Sequence, residues 1–137
     1  MKVILGIGNP LRGDDNIGQV VVSNLDIEGF DKILCGSAPE NFLGKIQKYN
    51  LVVIVDAVDF NGTAGEVRIF EPGDIKLSGM TTHSMPLEYV IKFLNNSEVK
   101  IIGIQPFKVE FGENLSDDLK NKLDFITKQV LSFLLDI

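Results

Sequence analysis

Lys2-Val3-Ile4-Leu5-Gly6-Ile7-Gly8-Asn9-Pro10-Leu11-Arg12-Gly13-Asp14-Asp15 begins as an apolar run, stops abruptly at glycines and ends in two acids. Lys2 to Leu5 reads as a short buried strand with glycine punctuation behind it. From about Asp15 to Leu25 the apolar residues Ile17, Val20, Val21 and Leu25 return at helical spacing. The stretch between is therefore a strand-to-helix loop. Gly6 and Gly8 permit a tight backbone, Pro10 pushes Asn9 toward extended geometry, and Asp14 and Asp15 suit a helix N-terminus. Such a loop lies at the carboxyl end of its strand, where open α/β sheets place their chemistry.

The alternation continues outward from this unit. Asp31–Gly36 is a second strand, and Ser37-Ala38-Pro39-Glu40 has capping-box spacing with proline in the first turn. The helix it starts would bury Phe42, Leu43, Ile46 and Tyr49. Leu51-Val52-Val53-Ile54-Val55 is continuously apolar and β-branched, as a central parallel strand should be, and Asp56 ends it. Glu66-Val67-Arg68-Ile69-Phe70 alternates polar and apolar, which fits a half-exposed edge strand closed by Glu71-Pro72-Gly73-Asp74. Irregular structure is expected from Ile75 to Thr82. Ser84 and Pro86 then start a helix with Leu87, Val90, Ile91 and Leu94 on one face. Val99–Ile104 is another strand, stopped by Gln105-Pro106, and a loop through Gly112 and Glu113 follows. Ser116 caps a last helix that carries Asp117 and Asp118 in its first turn and buries Leu119, Leu123, Ile126, Val130 and Phe133.

Strands alternating with helices imply one α/β domain over residues 1–137: a three-layer, doubly wound sheet, mostly parallel with one antiparallel edge strand, and helices on both faces. If the strand order begins 2-1-3, the first and third strands meet at the switch point and Asp15 and Asp56 face one crevice.

The 137 residues suffice to bury a real core. No apolar stretch reaches the eighteen or so residues of a membrane span, and no signal peptide is evident, so no membrane insertion is expected and a cytoplasmic location is the default. Cys35 is the only cysteine, which excludes an internal disulfide and thiolate metal clusters. A net charge of −6 argues against a nucleic-acid surface, which wants clustered Lys and Arg.

His83 is the only histidine. It lies in a polar loop, Thr81-Thr82-His83-Ser84, immediately before a predicted helix rather than on an apolar face. One imidazole with Asp15 and Asp56 is a workable N/O ligand set for a divalent transition metal with open positions. Each aspartate also has a purely structural reading: Asp14 and Asp15 favour the helix dipole, and Asp56 and Asp59 support turns. Asp56 is the hardest to dismiss, because an acid directly after five apolar residues risks burial and needs a partner. Gly6-Ile7-Gly8 starts like a dinucleotide fingerprint, but Leu11 stands at the third glycine position, and no Gly-Lys-Ser/Thr follows for a Walker loop. Nucleophile-elbow chemistry lacks its motif.

Taken together, Gly6–Leu11 with Gly13-Asp14-Asp15, Val55-Asp56-Ala57 and the histidine loop resemble the maturation endopeptidases of nickel–iron hydrogenases. Gly36-Ser37-Ala38-Pro39-Glu40-Asn41, Gly65–Ile69, Met80–Leu87 and Gly103-Ile104-Gln105-Pro106 make the formate-hydrogenlyase type the nearest. The resemblance implies an enzyme that removes a C-terminal extension from the precursor of the hydrogenase large subunit after nickel insertion. It implies that Asp15, Asp56 and His83 are the metal-contacting and catalytic residues, and that the nickel arrives with the substrate. Other divalent metals would substitute in vitro, and the enzyme would act as a monomer. The metal would polarise the scissile carbonyl, or lower the pKa of an attacking water, or serve recognition alone while carboxylates activate the water as in an aspartyl-type peptidase. The family often has glycine after the paired acids. Here Asn16 stands in its place, a residue that tolerates left-handed backbone.

Two rivals remain at this level. Peptidyl-tRNA hydrolases also open with a strand and a Gly-x-Gly-Asn-Pro loop, but need a histidine–asparagine motif where Asp14-Asp15-Asn16 stands, and the acidic balance fits tRNA poorly. A non-enzymatic α/β module binding a metal or nucleotide is the other, weakened for nucleotides by the two acids that would repel phosphate.

Overall fold

The computed structural model describes residues 1–75, 87–112 and 114–137. In chain order these form β1 (Lys2–Ile7), α1 (Ile17–Asn24), β2 (Asp31–Gly36), α2 (Leu43–Ile46), β3 (Leu51–Ala57), β4 (Val67–Phe70), α3 (Pro72–Ile75), α4 (Leu87–Lys92), β5 (Glu98–Ile104) and α5 (Asp117–Asp136). The strands make one sheet in the order β2-β1-β3-β5-β4. β1 runs parallel to β2 and β3, β3 runs parallel to β5, and β4 closes the far edge antiparallel to β5. The doubly wound, mostly parallel sheet with one antiparallel edge strand is therefore present, and β1 and β3 flank the switch point.

The three central strands are apolar on both sides because both faces are covered. Strand periodicity divides each run between two cores. Val3, Leu5, Ile7, Val52, Ile54 and Ile101 face one side, where they pack with Ile46, Tyr49 and the α4 residues Leu87 and Val90. Ile4, Val53, Val55, Ile102 and Ile104 face the other, against Ile17, Val21 and Val22 of α1 and Leu119, Ile126, Val130 and Leu134 of α5. The long last helix is capped as expected: Ser116 Oγ accepts from Leu119 N at 3.3 Å, with Asp117 and Asp118 in the first turn. Leu123 and Phe133 are half-buried at its margin.

One glycine sets the depth of α1. A Cβ on Gly18 would lie inside van der Waals contact of the carbonyl oxygens of Ile7 and Val55, so the helix rests directly on the backbones of β1 and β3.

Several local expectations are corrected. The first helix begins at Ile17, not near Asp15; Gly13–Asn16 is a 3-10 turn whose acids point inward instead of serving the helix dipole. Asn16 has φ −84°, so it uses no left-handed geometry; Gly13 supplies it, at φ +56°. Ser37-Ala38-Pro39-Glu40 forms no capping box. Pro39–Phe42 is a 3-10 turn without a side-chain cap, continuing into the single turn of α2. Ile46 and Tyr49 are buried as expected, whereas Phe42 and Leu43 are only half-buried. Asp56 does not end its strand: β3 continues to Ala57, with Asp56 paired in register to Gly103. The segment 76–86, with the irregular stretch and the Ser84–Pro86 helix start, lies outside the described residues. No helix among the described residues is long and apolar enough to cross a membrane.

Candidate active site at the carboxyl edge of the sheet

The buried polar or charged side chains among the described residues are Asp14, Asp15, Asp56 and Gln105. All four sit where β1, β3 and β5 end. Nothing in the sheet's hydrogen bonding requires an acid there, so each has to be accounted for by its contacts.

Asp15 is brought inward by the β1–α1 loop. Gly8 N donates to Gly36 O at 2.9 Å, and a Cβ on Gly8 would meet Asp15 O at 2.6 Å, so the loop doubles back on its own start. Asn9 closes an Asx turn, its Oδ1 accepting from Leu11 N at 2.9 Å. Gln19 binds the returning chain: its Nε2 donates to Gly8 O and Asn16 Oδ1 while its Oε1 accepts from Gly36 N. Asp15 is 2% exposed, and its Oδ2 accepts from Asn9 N at 3.0 Å. Its Oδ1 is buried and accepts no hydrogen bond among the described residues.

Asp14 has the opposite environment. Its Oδ2 accepts from Phe107 N (2.9 Å), Lys108 N (2.8 Å) and Ser116 Oγ (2.8 Å), and its Oδ1 from Ser116 N (2.7 Å). Each of its oxygens is occupied by a charge-assisted bond. Asp14 is thus a structural clamp between the first loop and the start of α5, a role the helix-dipole reading missed.

Asp56 is fully buried on β3. Its even position in the strand puts it on the α4 side, with Val52 and Ile54. Asp59, just beyond, supports the following turn as expected: its Oδ1 accepts from Asn61 N and Gln105 Nε2, which together hold its carboxyl below the usual range. Gln105 fixes this turn from the β5 side, its Oε1 accepting from Phe60 N (2.9 Å) and Gly62 N (3.0 Å). In the sequence Gln105 reads as a strand stop and as part of the Gly103–Pro106 motif, with no turn-holding role of its own. The signal available was an amide directly after an apolar strand, where burial demands partners.

The third expected member, His83, lies outside the described residues. Among the described residues no group of three His, Cys, Asp or Glu side chains could hold a metal ion. Cys35 offers no alternative nucleophile. It is buried, and burial together with the nearby Glu40 charge pushes its thiol up to about 12, leaving almost no thiolate at neutral pH.

Comparison with known proteins gives this edge its context. The family model HycI, hydrogenase maturation protease, matches residues 27–133. The hydrogenase 3 maturation protease of Escherichia coli K12 is 35% identical over 136 residues, covering 93% of this chain and 87% of the relative. The solution structure of the E. coli endopeptidase HycI superposes with a TM-score of 0.80 at 34% identity, over 93% of this chain and 88% of the other. The crystal structure of the [NiFe] hydrogenase maturation protease HycI from Thermococcus kodakarensis KOD1 gives 0.76 at 34% identity, over 96% and 90%. With sequence and fold both matched over nearly their full length, the chain belongs to the hydrogenase maturation protease family, endopeptidases of hydrogenase maturation.

Proposed function

We propose that the chain removes the C-terminal extension of a [NiFe] hydrogenase large-subunit precursor, and that Asp15, Asp56 and His83 take up the nickel which that precursor carries. The observation behind this reading is the pair of buried carboxylates, Asp15 and Asp56, at the ends of β1 and β3, with Asp15 Oδ1 accepting no hydrogen bond among the described residues. A buried acceptor left unmade costs about 1–3 kcal/mol, and a cation delivered to it offsets that cost. Two carboxylates and an imidazole suit a divalent first-row metal that keeps positions open for groups of the precursor. α4, which follows the His83 segment in sequence, packs on the same sheet face as Asp56.

On this reading the nickel is cargo of the substrate and supplies Lewis acidity at the scissile carbonyl or at the attacking water. The chain's own part is to present Asp15 on a loop tied down by Gln19 and Asn9, and to keep Asp56 buried in register on the central strand β3. The reaction belongs to the cytoplasm, where a single reduced cysteine is ordinary.

The test mixes purified enzyme with nickel-loaded and nickel-free precursor and reads the mass of the product. Cleavage confined to the nickel-loaded sample is expected, and His83→Ala should abolish it while leaving the circular dichroism spectrum and melting curve intact. Equal cleavage of both samples, or normal processing by His83→Ala, overturns the metal assignment.

A further inference from the structure

The parallel ladder between β1 and β2 breaks as it reaches the site. Its register shifts between Gly6 and Ile7, which leaves Ile7 opposite Gly36, and from there a side chain takes over the pairing of the backbone. Gly8 N donates to Gly36 O at 2.9 Å, Gly36 N donates to Gln19 Oε1 at 2.8 Å, and Gln19 Nε2 donates to Gly8 O at 3.1 Å, which closes a ring. The second Nε2 hydrogen goes to Asn16 Oδ1 at 2.8 Å. A backbone N–H only donates and a carbonyl only accepts, so these partners allow the Gln19 amide one orientation.

The ring grips a particular peptide unit. Gly8 C=O and Asn9 N–H are the two ends of one planar amide, and that plane is stiff. Gln19 holds the oxygen end, while the N–H end donates to Asp15 Oδ2 at 3.0 Å. A plane held by its carbonyl therefore aims its N–H, and the bonds at its two ends strengthen each other. Fixing Oδ2 also fixes where Oδ1 points, because both belong to one carboxylate. Oδ1 is the oxygen that accepts no hydrogen bond among the described residues.

We propose that Gln19 is the positioning residue of Asp15: through the Gly8–Asn9 peptide it sets the direction of the carboxylate that receives the precursor's nickel. The inference rests on the role proposed above for Asp15 and adds what orients it. A carboxylate already oriented when the metal arrives has no rotation to lose on binding. The two halves of the Gln19 amide have separate roles. Oε1 ties the loop to β2 through Gly36, whereas Nε2 aims Asp15 through Gly8 O.

The test compares wild type with Gln19→Leu, Gln19→Glu and Gln19→Lys. It reads steady-state cleavage of purified nickel-loaded large-subunit precursor and, without substrate, hydrogen exchange of the Asn9 amide by NMR. Gln19 is only half-buried on α1, and a melting curve checks that each variant is folded. Glutamate keeps an acceptor for Gly36 N but has no donor for Gly8 O; lysine keeps the donor and lacks the acceptor. Gln19→Leu and Gln19→Glu should lower kcat about tenfold or more, with KM within about threefold of wild type. In both, the Asn9 amide should exchange at least about tenfold faster. Gln19→Lys should recover most of the kcat and of the Asn9 protection. A simple tie to β2 predicts the opposite order, with Gln19→Glu the better variant. That order, or an unchanged kcat in folded Gln19→Leu, overturns the positioning role while the protease reading stands. A wild-type enzyme that leaves nickel-loaded precursor uncut overturns the protease reading instead, and Asn9 exchange then decides by itself whether Gln19 controls the Asp15 contact.

Discussion

The two ends of the sheet are built from the same strands and differ in what they bury. At the carboxyl end Asp14, Asp15, Asp56 and Gln105 are all withdrawn from solvent. At the amino end no charged or amide side chain among the described residues is buried, and the one buried hydroxyl, that of Tyr49, donates to Asp31 Oδ2 at 2.6 Å. There Met1 N meets Asn50 Oδ1 at the surface, and backbone bonds such as Glu98 N to Asn50 O close the chain crossings. A sheet end can thus be finished without buried charge. The polar carboxyl end is a feature that folding alone does not demand, which is why it is the candidate site.

Within the carboxyl end, Asp14 and Asp15 repeat the contrast at neighbouring positions. Asp14 has each oxygen saturated, whereas Asp15 keeps Oδ1 open. The first is satisfied by the chain's own donors; the second is the carboxylate that the proposed function gives to the incoming metal.

Four variants and one labelling experiment press on these contrasts. The largest effect is expected for Asp15→Ala, with precursor processing down by about a thousandfold, equivalent to roughly 4 kcal/mol of transition-state stabilisation. Its stability should stay within about 1 kcal/mol of wild type, because the lost acceptor was only partly satisfied. A large drop in denaturant midpoint would make Asp15 another clamp. Asp14→Ala should do the reverse, lowering unfolding free energy by about 3–4 kcal/mol in urea titration, since four donors lose a charged acceptor. Retained wild-type stability would break the distinction between the two acids. Gln105→Ala should cost about 2 kcal/mol by the same titration, through the stranded Phe60 and Gly62 amides.

Cys35 probes how dry the interior is beside that polar edge. Its folded thiol sits near 12 against an ordinary 9.0, so alkylation by iodoacetamide at pH 8 should be slow until the protein unfolds. The linkage has a definite sign. Between pH 9 and 12 the folded state holds a proton that the unfolded state has lost, so this group's contribution is complete below pH 9 and declines as pH rises to 12. Rapid labelling of folded protein at pH 8 would show the pocket is open. The smallest effect belongs to the amino end, where Asn50→Ala should change stability by less than about 0.5 kcal/mol, as exposed sites usually do.

The candidate site was legible in part. Asp15 and Asp56 could be picked out because each interrupts or follows an apolar run, and the 2-1-3 strand order brings the ends of such runs together. Asp14, Gln19 and Gln105 could not be read in the same way. The donors to Asp14 come from positions 93, 94 and 102 residues away, and no local pattern announces a bond across that distance. Gly18 was missed for a related reason: its need to lack a side chain comes from two strands that only the folded sheet places beneath it.

What the chain determines by itself is its sequence of elements. Apolar period, β-branching and the Ser116 cap are interactions over a few residues, so they survive translation into structure with little dependence on the rest. The polar partners at the carboxyl edge were decided by the tertiary fold. Asp14 and Asp15 are the same residue in the same turn, and only the packing of the post-β5 segment against one of them leaves the other with an open oxygen. Local chemistry specifies that two acids follow the first strand; long-range contact decides which acid is bound by the chain's own donors and which one keeps an open oxygen.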